Sequence, residues 1–163
     1  MAVNSREWGV YIDAVLRIEA PSGVIWVRPA PVSRTSGDYP DPEGRTICVI
    51  TAHNPGGQLA PVGENEAAQE RLVVELESRG LTWWLAAGGD PSWTHVEASA
   101  AVIGMHQAEA IALGAQFRQE AIFVLTPADR RVVGCAERRI VTTGWSTEPS
   151  GLRRVSASGG SQT

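Results

Sequence analysis

Lysine is absent from this 163-residue chain, and all fourteen basic residues are arginine. The arginines are scattered, apart from adjacent pairs at Arg130-Arg131, Arg138-Arg139 and Arg153-Arg154, and the formal net charge is -4. An acidic balance without a basic stripe argues against a nucleic-acid partner. Cysteine is scarce. Cys48 and Cys135 lie inside apolar runs, at no metal-binding spacing and too few for a disulfide framework. They read as small core residues in a reducing, cytoplasmic setting. Long hydrophobic runs are also missing. None approaches the ~20 residues of a bilayer span, and MAVNSREWG carries no apolar signal core, so no membrane partner is expected. Gly56-Gly57 and Gly88-Gly89 are isolated pairs rather than a phosphate loop, and no G-x-S-x-G surrounds Ser99.

What is present suits one globular domain: 43% hydrophobic and 20% charged residues. Residues 1–145 are expected to form it, and the Ser/Gly/Thr-rich residues 146–163 a disordered tail. Trp8, Ile12 and Leu16 fall at helical spacing in an N-terminal helix over residues 5–17, capped by Ser5. Residues 23–30, GVIWVRPA, read as a strand of β-branched and aromatic residues, and 45–52 as a central strand ending in ITA. A helix over 64–79 follows, with Ala68, Leu72 and Leu76 on one face. Strands are expected over 81–87, 94–103, 121–126 and 131–138, and a second helix over 105–119 with Ala108, Ile111, Ala112 and Ala115 inward.

From Arg45 the order is strand, helix, strand, strand, helix, strand. Right-handed crossovers and a short turn at Gly88–Ser92 favour a ferredoxin-like (split β-α-β) antiparallel sheet. The class is α+β, with two core helices, an extra N-terminal helix and one or two extra strands. In that topology the end of the first core strand lies beside the start of the third. Thr51, His53, Asn54, Asn65, His95, Glu97 and Gln119 then share one rim of the sheet.

These residues also carry a resemblance. ITAHNP at 50–55, Asn65 in GENEAAQ, Glu97 and Ser99 in HVEASAAVIGM, and Gln119 and Ala121 in LGAQFRQEAIF resemble a bacterial domain-of-unknown-function family, number thirty-two ninety-three. The resemblance covers roughly Arg45 to Arg131 and implies no particular activity. Arg118 stands where that family often has glycine, and His53 at a position open to other aromatics.

The rim residues suggest their chemistry. Amides at Asn54, Asn65 and Gln119, with Thr51, His53 and Ser99, would bind a small polar or anionic metabolite. Glu97 shares its strand face with Ser99 and Ala101, small residues that leave room. A partly buried carboxylate there would have a raised pKa and could carry protons. No cofactor is expected. The alternative from another class is a non-catalytic protein-interaction module using the rim and the tryptophans near the hairpin, Trp84 and Trp93. A further alternative is a metal-dependent hydrolase or oxygenase with His53, His95 and Glu97 as ligands.

Overall fold

A computed structural model of the chain describes residues 5–150, with side chains from Trp8 onward. The elements in order are α1 (Ser5–Ile12), β1 (Val15–Ala20), β2 (Gly23–Ala30), β3 (Thr35–Ser36), β4 (Ile47–Thr51), α2 (Val62–Ser78), β5 (Thr82–Gly89), β6 (Val96–Ile103), α3 (Gln107–Gln116), β7 (Ala121–Leu125), β8 (Arg130–Gly134) and β9 (Ile140–Pro149). A 3-10 turn at Pro55–Gly57 interrupts the loop after β4.

The strands run β2-β1-β5-β6-β4-β7-β8-β9, and β9 pairs back onto β2. The sheet is therefore a closed eight-stranded antiparallel barrel, with β3 added in parallel outside β9. The expected ferredoxin-like open sheet is overturned. Its four strands are present in the order β5-β6-β4-β7, but they form only one arc of the wall. Two misread segments account for the difference. Val15 to Arg17 were expected to end the first helix, because Trp8, Ile12 and Leu16 keep an i, i+4 spacing. The helix stops at Ile12, and β1 buries Leu16 and Ile18 while Arg17 and Glu19 alternate outward. Residues 146–149 were expected to be tail, yet they pair with Ile25 to Arg28 as the last rungs of β9. Residues 151–163 and the proposed Ser5 cap lie outside what the structure describes.

Strand alternation divides the wall into two faces. Ile47 and Val49 of β4, Ala101 and Ile103 of β6, Trp84 and Ala86 of β5, Leu16, Ile18, Val27 and Trp145 fill the interior. An eight-stranded barrel has just enough room for such side chains. On the outer face Cys48, Ile50, Ala100, Val102, Ile122 and Val124 pack under α2 and α3. α2 buries Ala68, Leu72 and Leu76 as expected. α3 buries Ala110, Leu113 and Gly114 rather than the expected Ala108/Ile111/Ala112/Ala115 stripe. An alanine-rich helix has little hydrophobic contrast around its axis, and the single leucine decides its orientation.

α1 stoppers one end of the barrel. Trp8 is completely buried against Ala121 and Val132, with Tyr11, Ile12 and Phe123 around it. The Trp8 indole N–H donates to Glu137 at 2.9 Å, and the Tyr11 hydroxyl donates to Glu120 at 2.8 Å. Arg130 is fully buried and donates to the carbonyls of Tyr11 (3.1 Å), Ile12 (3.2 Å) and Ala14 (2.8 Å). Its guanidinium lies 5.2 Å from the centre of the Phe123 ring.

Candidate functional site

The chain reverses direction after β4. Thr51, the last residue of β4, pairs with Ser99 and donates its hydroxyl to the Ala98 carbonyl at 2.7 Å. The same oxygen accepts the His53 backbone N–H at 3.0 Å. Asn54 then adopts a left-handed conformation (φ 50°), which asparagine tolerates better than most side chains. That residue aims its amide at β6. Asn54 Nδ2 donates to Glu97 Oε2 at 2.6 Å. Asn54 Oδ1 accepts from Asn65 Nδ2 and from the Ala60 N–H, both at 3.0 Å. Asn65, buried on α2, returns the interaction by accepting the Asn54 backbone N–H at 2.8 Å. Two asparagines eleven residues apart thus clamp each other, and the clamp presents one amide hydrogen to one carboxylate.

Glu97 has the parity of Ala101 and Ile103, so it lies on the interior face of the wall, near the end that α1 closes. Its pairing partner on β5 is Gly88, which offers no side chain to crowd it. Ser99 is buried on the same face and donates to the Glu97 carbonyl at 3.1 Å. Burial pushes the Glu97 carboxyl above its ordinary range, and the Asn54 hydrogen bond pulls partly against that. Oε2 is taken by Asn54; among the described residues Oε1 has no hydrogen-bond partner.

The expected convergence of Asn54, Asn65 and Glu97 is found, and Thr51 and Ser99 adjoin them. Gln119 arrives from the end of α3, but its amide nitrogen donates to the His53 carbonyl at 3.0 Å and the Phe117 carbonyl at 3.3 Å rather than towards Glu97. The outer face of β6 is not wholly core, since Val96 and Ala98 on it are exposed. His53 is half-buried, which lowers its pKa and keeps its imidazole neutral near pH 7, with Glu66 opposing weakly.

His95 does not join the site. Its backbone N–H is held by Asp90, which also accepts from the N–H groups of Ser92 and Thr94 and sits at about pKa 2. The hairpin turn closes on itself and leaves His95 exposed. No group of three or more metal-ligating side chains forms among the described residues, so His53, His95 and Glu97 do not assemble as a ligand set. Two contributors escaped the sequence reading. Gln69 accepts the Ala52 N–H at 3.2 Å, and its position four residues after Asn65 on α2 was the available signal. Glu120 receives Tyr11 from α1, a contact for which the sequence holds no local sign.

Residues 50–122 match the family described as "Protein of unknown function (DUF3293)". The match runs from the end of β4 through α2, β5, β6 and α3 into β7, and so contains Thr51, Asn54, Asn65, Glu97, Ser99 and Gln119. The DUF3293 resemblance leaves α1, β1, β2, β8 and β9 outside the matched span. No curated protein and no solved structure matches the chain.

Proposed function

We propose that the protein binds a small polar molecule at the α1-capped end of the barrel and exchanges a proton with it through Glu97. One observation carries this reading. A half-buried carboxylate has one oxygen fixed by Asn54, itself fixed by Asn65, and a second oxygen without a partner among the described residues. Fixing a carboxylate through two interlocked amides orders its orientation before any ligand arrives, which is how a proton-transfer group is prepared. Its raised pKa brings the protonated and ionised forms closer in energy near neutrality. A ligand with a hydroxyl, amide or amine donor suits the free oxygen. Thr51 and Ser99 pair beside Glu97 on the same face of the wall, and Gln119 holds the loop at His53. The two free cysteines support a cytoplasmic setting, and the net charge of -4 supports a partner other than nucleic acid. Among the described residues no helix is long and apolar enough to cross a membrane.

The interaction-module reading draws less support. Trp84 is turned into the barrel, and Trp93 packs edge-on against Trp26 with ring centroids 4.7 Å apart. These rings are occupied in packing rather than offered as a patch.

Glu97→Gln tests the proposal. Because the folded-state pKa lies above the unfolded one, the carboxyl contributes stability below its ordinary value of about 4.3. That contribution is lost as pH rises through the folded value. The variant keeps an oxygen for Asn54 and sheds the cost of a buried charge. Its melting temperature should equal or exceed the parent's at pH 7, with the gap closing at pH 4. A thermal-shift screen of small metabolites should find ligands of the parent that Glu97→Gln no longer binds. A clear drop in melting temperature at pH 7 would mark Glu97 as a structural carboxylate and end the proposal.

A further inference from the structure

α2 and α3 end in the same way. At the end of α2, the Leu81 N–H bonds the Leu76 carbonyl at 3.1 Å and the Gly80 N–H bonds that of Glu77 at 3.0 Å. At the end of α3, the Gln119 N–H bonds the Gly114 carbonyl at 2.9 Å and the Arg118 N–H bonds that of Ala115 at 3.0 Å. Both are Schellman turns, which need a left-handed residue at one position and usually place glycine there. α2 supplies Gly80 (φ 67°), whereas α3 supplies Arg118 (φ 58°). Arginine is strained in that region because its Cβ crowds the following carbonyl. The backbone bond it makes, accepting the Gly56 N–H at 2.7 Å, would be available to glycine as well. Among the described residues the exposed Arg118 side chain makes no hydrogen bond or ion pair that would offset the strain.

That side chain borders a groove of about 520 Å³ between α2 and the end of α3. Arg71 of α2 lines the same groove, also without an ion pair among the described residues. The acid present there, Glu75, is engaged by Arg79 at 2.9 Å. The groove therefore holds two uncompensated guanidiniums in a chain of net charge -4. The rest of the wall is Gln116 and apolar residues, among them Pro55, Phe117 and Val74, whose side chain is exposed.

We propose that this groove binds a small organic anion, its carboxylate or phosphate held between Arg71 and Arg118 and its apolar body against Val74, Pro55 and Phe117. Guanidiniums match both oxyanions by paired hydrogen bonds. Backbone strain of this kind clusters at ligand clamps and active sites. The site is independent of Glu97, which lies on the other face of the wall.

The test uses phenyl phosphate and benzoate as probes, titrated by calorimetry at low ionic strength, with inorganic phosphate alongside. Saturable binding of phenyl phosphate or benzoate, tighter than inorganic phosphate, is expected. Arg71→Ala should weaken it about tenfold or more while leaving the melting temperature in place. Arg118→Gly should weaken it similarly and raise the melting temperature by about 2–4 °C, through release of the left-handed strain. No saturation by either aromatic probe, unchanged affinity in Arg118→Gly, or a lower melting temperature in that variant would each overturn the proposal. Equal binding of inorganic phosphate would overturn the apolar half of the site.

Discussion

Arg130→Met is expected to lose about 3–5 kcal/mol of stability, the largest single effect in the molecule. The guanidinium is buried and gathers three carbonyls from the end of α1 and the turn into β1. Those carbonyls form the negative end of the helix, so the interaction is charge-assisted. Burial lowers the Arg130 pKa to about 10, with Asp13 opposing, and the side chain stays charged at neutral pH. Methionine would fill much of the volume but leave the carbonyls without donors inside the barrel mouth. The melting temperature should fall by roughly 10 °C or more. Arg130→Lys should fall between the two, because one ammonium cannot reach the three acceptors in the same geometry. A drop of less than about 2 °C in Arg130→Met would show that α1 is held by Trp8 and its apolar neighbours alone.

Asn54→Ala is expected to cost about 3–4 kcal/mol, from two separable sources. One is conformational: alanine at φ 50° carries the left-handed penalty that asparagine largely escapes. The other is the loss of the side-chain bonds to Glu97, Asn65 and the Ala60 N–H. Asn54→Gly separates them, since glycine removes the bonds without the strain. Denaturant melts should place the glycine variant between the parent and the alanine variant. If alanine and glycine behave alike, the strain is not real. If the glycine variant matches the parent, the clamp contributes nothing to folding. Glu97→Gln rests on the same interlocked amides, so it should not be combined additively with either substitution.

The arc β4-α2-β5-β6-α3-β7 was legible because each piece signals locally. ICVI is a continuous apolar run, Ala68, Leu72 and Leu76 repeat at helical spacing, and a Gly-Gly-Asp-Pro turn joins two strands. Glu97 beside Asn54 followed from that arc, since crossover handedness alone brings β6 next to β4. The ring was not legible. β1 hid inside a helical spacing that continued across Asp13 and Ala14. The second half of β9, from Ser146 to Pro149, looked like a tail because it offers only serine, threonine, glutamate and proline, and Trp145 just before it is the one large residue of the strand that is buried. The rungs that close the barrel, such as Ile25 with Pro149, join segments with no shared local pattern. The Asn54–Asn65 clamp was likewise hidden: both amides were expected to face a ligand, but they bond each other instead.

Closure by β9 carries a consequence for how the chain is made. β2 leaves the ribosome well before its partner, which spans residues 144–149 and comes more than a hundred positions afterwards. Until then β2 is an open edge rich in valine, isoleucine and tryptophan, of the kind that recruits stray strands. The ring shuts only once residues 144–149 have been made, so slowing translation ahead of residue 144 should favour aggregation over native barrel, whatever the finished protein's stability.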